Sequence, residues 1–102
     1  MNTKEFLSRY LAGQRDFRNL NLIAVNLRNV NLSGVNLSGA NLTKANLTRT
    51  NLSRANLTNA TLTGANLTET NLVYANLTDA TLHDVDLSQA DIRGAILHNT
   101  VR

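Results

Sequence analysis

Three runs decide the fold: Ala40-Asn41-Leu42-Thr43-Lys44, Ala45-Asn46-Leu47-Thr48-Arg49 and, one variant repeat later, Ala55-Asn56-Leu57-Thr58-Asn59. Outward from them, an apolar residue falls at every fifth position. The series starts at Phe17, continues through unbroken Leu from Leu22 to Leu87, and ends at Ile92 and Leu97, seventeen in succession. Two residues before each stands a smaller side chain, usually Ala or Val, as in Val25, Val35, Ala65 and Ala95. Asn occupies the slot between them in eleven of the seventeen repeats, and Ser or Thr most often follows the Leu. A repeat of this length has to be settled before anything else is read.

A period of five excludes the two simplest elements. At about 100° per residue, positions five apart step by about 140°, so the Leu would circle a helix and leave no apolar stripe. A continuous strand would put successive Leu on opposite faces. Within one repeat, however, the small residue and the Leu lie two apart and can point the same way from a short extended segment. The remaining polar residues can then turn a corner, and the chain winds with Ala, Val and Leu inside. The expected fold class is therefore an all-β solenoid whose coils satisfy one another's backbone groups.

These runs resemble the A(D/N)LXX motif of the pentapeptide-repeat family, and the likeness extends over residues 15–99. The resemblance implies a right-handed quadrilateral β-helix, four pentapeptides to a square coil of about 20 residues, with about four coils in all. The stretch from Arg9 to Phe17 also resembles the helix that leads into the first coil of small cyanobacterial members. The substitutions agree with four repeats per coil: Thr50 and Thr70 both replace Ala, and Thr61 and Thr81 both replace Asn. At ~4.8 Å between strands, such a rod would stand about 20 Å tall.

Residues 1–14 are expected to form an N-terminal cap, residues 15–99 the repeat and residues 100–102 a short tail. Thr3 is the expected N-cap of a helix over 3–12, with Phe6, Leu7, Tyr10 and Leu11 on one face and Gly13 as its stop. Phe6 and Tyr10 would plug the first coil. The other end has no such element. Ile92, Ile96, Leu97 and Val101 crowd the last coil, and Ile96 is an apolar residue in the usually Asn or Asp slot. Tail-to-tail homodimerisation is one expectation there, and self-sealing by Ile96 is the other.

Composition narrows the chemistry. The 102 residues hold 18 Leu and 16 Asn but no Cys, Pro or Trp, so disulfides, thiolate metal sites and cysteine nucleophiles are excluded. No apolar run approaches the ~20 residues of a membrane span, and charges at Lys4, Glu5 and Arg9 interrupt any signal-peptide core. A cytoplasmic chain is expected, with no membrane association. His83 has Asp84 and Ser88 nearby in sequence, but solenoid sides would hold them apart. No catalytic, cofactor-binding or metal-binding residue is expected, and no phosphate loop or calcium loop is present. The many Asn-Leu-Ser and Asn-Leu-Thr sequons follow from the repeat itself, and the Asn columns are expected to stack amide on amide.

Specific function is left to the outward positions. At a spacing of 20, Arg54 stacks on Tyr74 as a possible cation–π pair, and Arg49 stacks on Glu69 as an exposed ion pair. Arg49, Arg54 and Tyr74 are therefore the candidate interaction surface. Residues 1–60 carry eight Lys and Arg against two acids, whereas 61–102 carry two against five, within a formal net charge of +3. A non-catalytic structural or protein-interaction scaffold of unknown partner is the first expectation. Some members of the resembled family mimic duplex DNA, bind DNA gyrase and protect it from quinolones. That role needs a strongly negative, long rod, and the positive charge here opposes it. Thr columns such as Thr58 and Thr78 raise ice binding, but Arg18, Arg28, His83 and His98 interrupt or flank them. Nucleic-acid binding is not expected, since no aromatic platform or basic track accompanies the cations.

Overall fold

The computed structural model describes all 102 residues. A single helix, α1 (Thr3–Leu11), lies ahead of a chain that winds by repeated parallel pairing at a constant offset of twenty. Asn21 pairs with Asn41, Asn41 with Thr61, and Thr61 with Thr81. One coil thus holds four pentapeptides, as the paired Thr substitutions indicated. The molecule measures 32 × 21 × 20 Å, with two nearly equal short axes. Its length exceeds the 20 Å expectation because that counted the coils and left out the helix.

Side 1 comprises residues 15–19, 35–39, 55–59, 75–79 and 95–99. Side 2 comprises 20–24, 40–44, 60–64 and 80–84, side 3 comprises 25–29, 45–49, 65–69 and 85–89, and side 4 comprises 30–34, 50–54, 70–74 and 90–94. Within an interior pentapeptide that keeps its Asn, the N–H groups find a full set of acceptors. In residues 41–45, Asn41 N–H donates back to Leu20 O at 2.9 Å, while Leu42 and Lys44 N–H donate forward to Thr61 O and Thr63 O at 2.7 and 2.8 Å. Ala45 N–H closes the corner onto Leu42 O at 3.0 Å. The fifth, Thr43 N–H, goes to Asn41 Oδ1 at 3.1 Å. Buried backbone donors must be paired, and this pentapeptide pairs all of its own.

The expected Asn ladder is not what forms. Asn side chains turn onto their own repeat, each Oδ1 accepting the N–H two residues on, from Ile23 onto Asn21 through Thr78 onto Asn76. Asp16, Asp86 and Asp91 accept the equivalent bond from Arg18, Ser88 and Arg93. The reason is local geometry. The N–H after each Leu has no carbonyl opposite it on the neighbouring coil, and the short Asn or Asp side chain reaches it, as in an Asx-turn.

Each corner places its second outward residue at positive φ, the signature of a type II turn. Gly34, Gly39, Gly64 and Gly94 take this position without strain, and Asn19, Asn29, Asn59 and Asn99 with little. Arg49, Arg54, Glu69 and Tyr74 adopt it too, held by the bonds above and below. Gln89 is the exception among the seventeen corners. Beside it the Asn66–Asp86 pairing is missing, and Glu69 N–H donates to Gln89 O at 2.9 Å, a bulge in the last coil of side 3.

Twenty-four buried apolar residues make one core, in which the Leu columns are sealed from Leu22 to Leu82. At roughly 1.5–3 kcal/mol for each fully buried Leu, this column is the main driving force for folding. Thr50 and Thr70 are buried in the Ala slot of side 4. The helix seals the first coil through Phe6, whose ring lies 4.3 Å from that of Phe17. The cap differs from expectation by one residue. Asn2 is the N-cap and accepts Glu5 N–H at 2.8 Å, while Thr3 Oγ1 accepts Asn26 N–H at 2.9 Å and fastens the helix to the coil. The helix ends at Leu11, with Ala12 as its C-cap. Tyr10 donates its hydroxyl to Asn31 O and carries Arg15 over its ring at 3.9 Å. No helix is long and apolar enough to cross a membrane.

Candidate interaction surfaces

Because coils stack at an offset of twenty, each corner is a column of side chains from successive turns. The corner between sides 4 and 1 holds Gly34, Arg54, Tyr74 and Gly94. Tyr74 is 60% exposed, and the Arg54 guanidinium sits 5.2 Å from its ring centre. On the other side the ring covers Gly94, where an added Cβ would overlap it. Tyr74 is therefore fixed between a cation and a bare backbone, and the expected pairing with Arg54 is realised.

The corner between sides 3 and 4 holds Asn29, Arg49, Glu69 and Gln89. Arg49 Nε donates to Asn29 Oδ1 at 2.9 Å, whereas its closest approach to Glu69 is 3.9 Å. Both charged side chains are at least half exposed, so the ion pair adds little stability and Asn29 is what orients the guanidinium. Asn29 and Gly94 were not among the candidate residues, although extending the spacing of twenty by one rung would have found both.

Elsewhere Asp16 pairs with Arg18 at 2.9 Å, and Asp91 with Arg93. The side-chain hydrogen bonds from Arg18 and Arg93, then those from their backbone N–H groups, hold the Asp16 and Asp91 carboxyls below the usual carboxylate range. Asp86 is lowered by the Ser88 backbone N–H first and its side chain second. Arg93 is raised by its bond to Asp91.

The arrangement offers little to catalysis. His83 and His98 are exposed, and Ser88 N–H is directed at Asp86. No three His, Asp or Glu side chains converge. One depression, of about 410 Å³, lies over Asn2, Lys4, Glu5, Ser8 and Arg9, with no hydrophobic residue among them. The Thr hydroxyls proposed for ice contact are partly engaged, Thr58 with Asn56 at 2.8 Å and Thr78 with Asn76 at 2.6 Å. At the C-terminal end, Ile92 and Leu97 are partly covered, while Ile96 and Val101 are 49% and 48% exposed.

Comparison with known proteins agrees with this geometry. The pentapeptide repeats family matches residues 21–59 and 60–99, with eight copies of the repeat. The chain is similar to alr5209, a pentapeptide repeat protein from Nostoc Pcc 7120, at 36% identity and a TM-score of 0.50. That match covers 93% of this chain and 75% of the other. A pentapeptide repeat protein of the Arabidopsis thaliana thylakoid lumen is 29% identical with a TM-score of 0.52, over 79% of this chain and 57% of that one. QnrB1, a plasmid-mediated fluoroquinolone resistance protein, shares the fold at 14% identity and a TM-score of 0.57, over 83% of this chain and 47% of its own. No curated protein matches the chain in sequence. Repeat, coil and neighbours carry the same implication of a right-handed β-helix, and the chain belongs to the pentapeptide repeat family.

Proposed function

We propose that this chain is a non-catalytic scaffold, a right-handed quadrilateral β-helix that binds another protein through its outer surface. The observation that carries the reading is the ledge of Arg54, Tyr74 and Gly94: an exposed aromatic ring held in one position on a rigid corner. Tyr and Arg dominate binding energy at protein interfaces, and a ring immobilised beforehand loses little entropy when a partner covers it. Arg49, fixed on the adjacent corner by Asn29, extends the same surface. The filled interior supports a non-catalytic reading, since its Leu columns leave no cavity inside the coils for a substrate. In this reading the last coil is a second contact, where a tail-to-tail pair would cover Ile96 and Val101 alongside Ile92 and Leu97. The gyrase reading is disfavoured by the formal net charge of +3.

The test is a cross-linking pull-down from a cytoplasmic extract with the full chain and with an Arg54→Glu/Tyr74→Ser variant. A protein captured by the first and lost by the second supports the reading. Identical capture by both removes this ledge from consideration. Purified gyrase, assayed for supercoiling with and without the chain, should be unaffected.

A further inference from the structure

Side 3 and its leading edge sort their charges by coil. In the first two coils stand Arg28, Lys44 and Arg49, and in the next two stand Glu69, Asp84 and Asp86, all six exposed. Arg28, Lys44, Asp84 and Asp86 have no ion-pair partner within the chain, and the Arg49–Glu69 pair is open at 3.9 Å. Between the two groups lie only small polar residues, Asn46, Thr48, Asn66 and Thr68, with Gly64 at the edge. The other sides show no such order. On side 1, Asp16 already pairs with Arg18, and on side 4, Asp91 with Arg93.

From this pattern we propose that side 3 is a self-complementary surface on which two copies of the chain pair antiparallel. A two-fold axis lying across side 3, between its second and third coils and at right angles to the rod, keeps every column facing itself while reversing the order of coils. The second coil of one copy then faces the third of the other, which sets Arg49 against Glu69 of the second copy. The first coil faces the fourth, which sets the repeat of Arg28 against that of Asp86. Lys44 faces Gly64 of the second copy, one rung of about 4.8 Å from Asp84, within the reach of a lysine. Each contact is made twice, as an isologous interface requires. The facing Asn and Thr rows leave nothing bulky between the sides.

A partner of uniform charge fits less well, because half of side 3 would repel it; only a surface with the same reversal of sign matches throughout. The end-on dimer of the previous subsection uses different residues and is independent of this one. Size limits the strength. The whole flank is 32 × 21 Å, so the footprint is at most about 670 Å² per copy, below the ~800 Å² per partner of a standard interface. The pairing is therefore weak, electrostatic and reversible.

Sedimentation equilibrium of the intact chain tests it without any substitution. A dimer should form at about 0.01 M salt, where the screening length is ~30 Å, and be lost at about 1 M, where it is ~3 Å. Two variants then locate the surface, one carrying Arg28→Glu, Lys44→Glu and Arg49→Glu, the other Glu69→Lys, Asp84→Lys and Asp86→Asn. Each alone should be monomeric at low salt, and their mixture should restore a one-to-one heterodimer. A wild-type chain that stays monomeric at low salt overturns the proposal. So does a dimer that persists at high salt, or one abolished by Ile96→Asp but untouched by both charge variants.

Discussion

The hydroxyl of Thr50 donates to Leu27 O, one coil nearer the N-terminus, at 2.7 Å, and Thr70 makes the same bond to Leu47 O. Both carbonyls already close a corner, with Val30 and Thr50 N–H respectively. The hydroxyl is thus an additional tie between successive coils within an otherwise apolar column. Thr50→Val keeps the shape, leaves the carbonyl one partner, and should destabilise by about 0.5–1.5 kcal/mol. Urea unfolding measures it, and Thr50→Ser, which retains the donor, should lose less of this bond's contribution.

Gly34 and Gly94 separate backbone cost from contact cost. Both have positive φ, but an added Cβ meets nothing within 4 Å at Gly34, whereas at Gly94 it meets the Tyr74 ring. Gly34→Ala should cost about 1–2 kcal/mol from the left-handed backbone alone. Gly94→Ala should cost clearly more, and the excess should vanish when Tyr74→Ser is combined with it. A double-mutant cycle by chemical denaturation reads the difference.

Phe6 is fully buried against Phe17 and is the helix's main anchor. Phe6→Ala should cost about 3–5 kcal/mol and expose the unpaired edge of the first coil. Thermal melts should show the loss, and light scattering should rise with it. Leu11→Ala, at an 84% exposed position, should change neither.

Acid should weaken the fold through three carboxylates. Asp16, Asp86 and Asp91 are lowered from 3.8 in the folded chain, so the unfolded chain binds their protons first as pH falls. The stability they contribute is present above the unfolded value and is lost as pH drops through the folded ones. Asp86→Asn keeps the acceptor for Ser88 and removes one titrating group. Its unfolding free energy should therefore fall less steeply below about pH 4.

The inward columns were readable because the Leu slot tolerates so little: Phe17 and Ile92 are its sole departures from Leu. Coil length was readable because Thr50/Thr70 and Thr61/Thr81 repeat at the interval at which their side chains stack. The same interval disclosed Arg54 against Tyr74. The Asn role was not readable, since an amide suits a ladder between coils and a bond to its own turn equally well. Asn2 and Thr3 are both good N-caps, and only the position of Asn26 N–H decides between them. Residues 85–89 follow the repeat as faithfully as their neighbours, so the bulge at Gln89 has no local signal. The surface pattern on side 3 was hidden for another reason: a count of charge over 1–60 against 61–102 registers the asymmetry but not the side on which it falls.

The offset of twenty constrains how such a rod can lengthen over generations. Duplicating four pentapeptides adds one coil, about 4.8 Å of height, and leaves every column downstream on its own side. Duplicating a single pentapeptide fits the core equally well, yet it turns everything beyond it by a quarter of a revolution. Tyr74 would leave Arg54, and the acids of side 3 would no longer share a side with its cations. Stability would hardly register that change, whereas any function resting on the surface would be erased. Insertions in natural relatives that keep a shared partner should therefore come in whole coils.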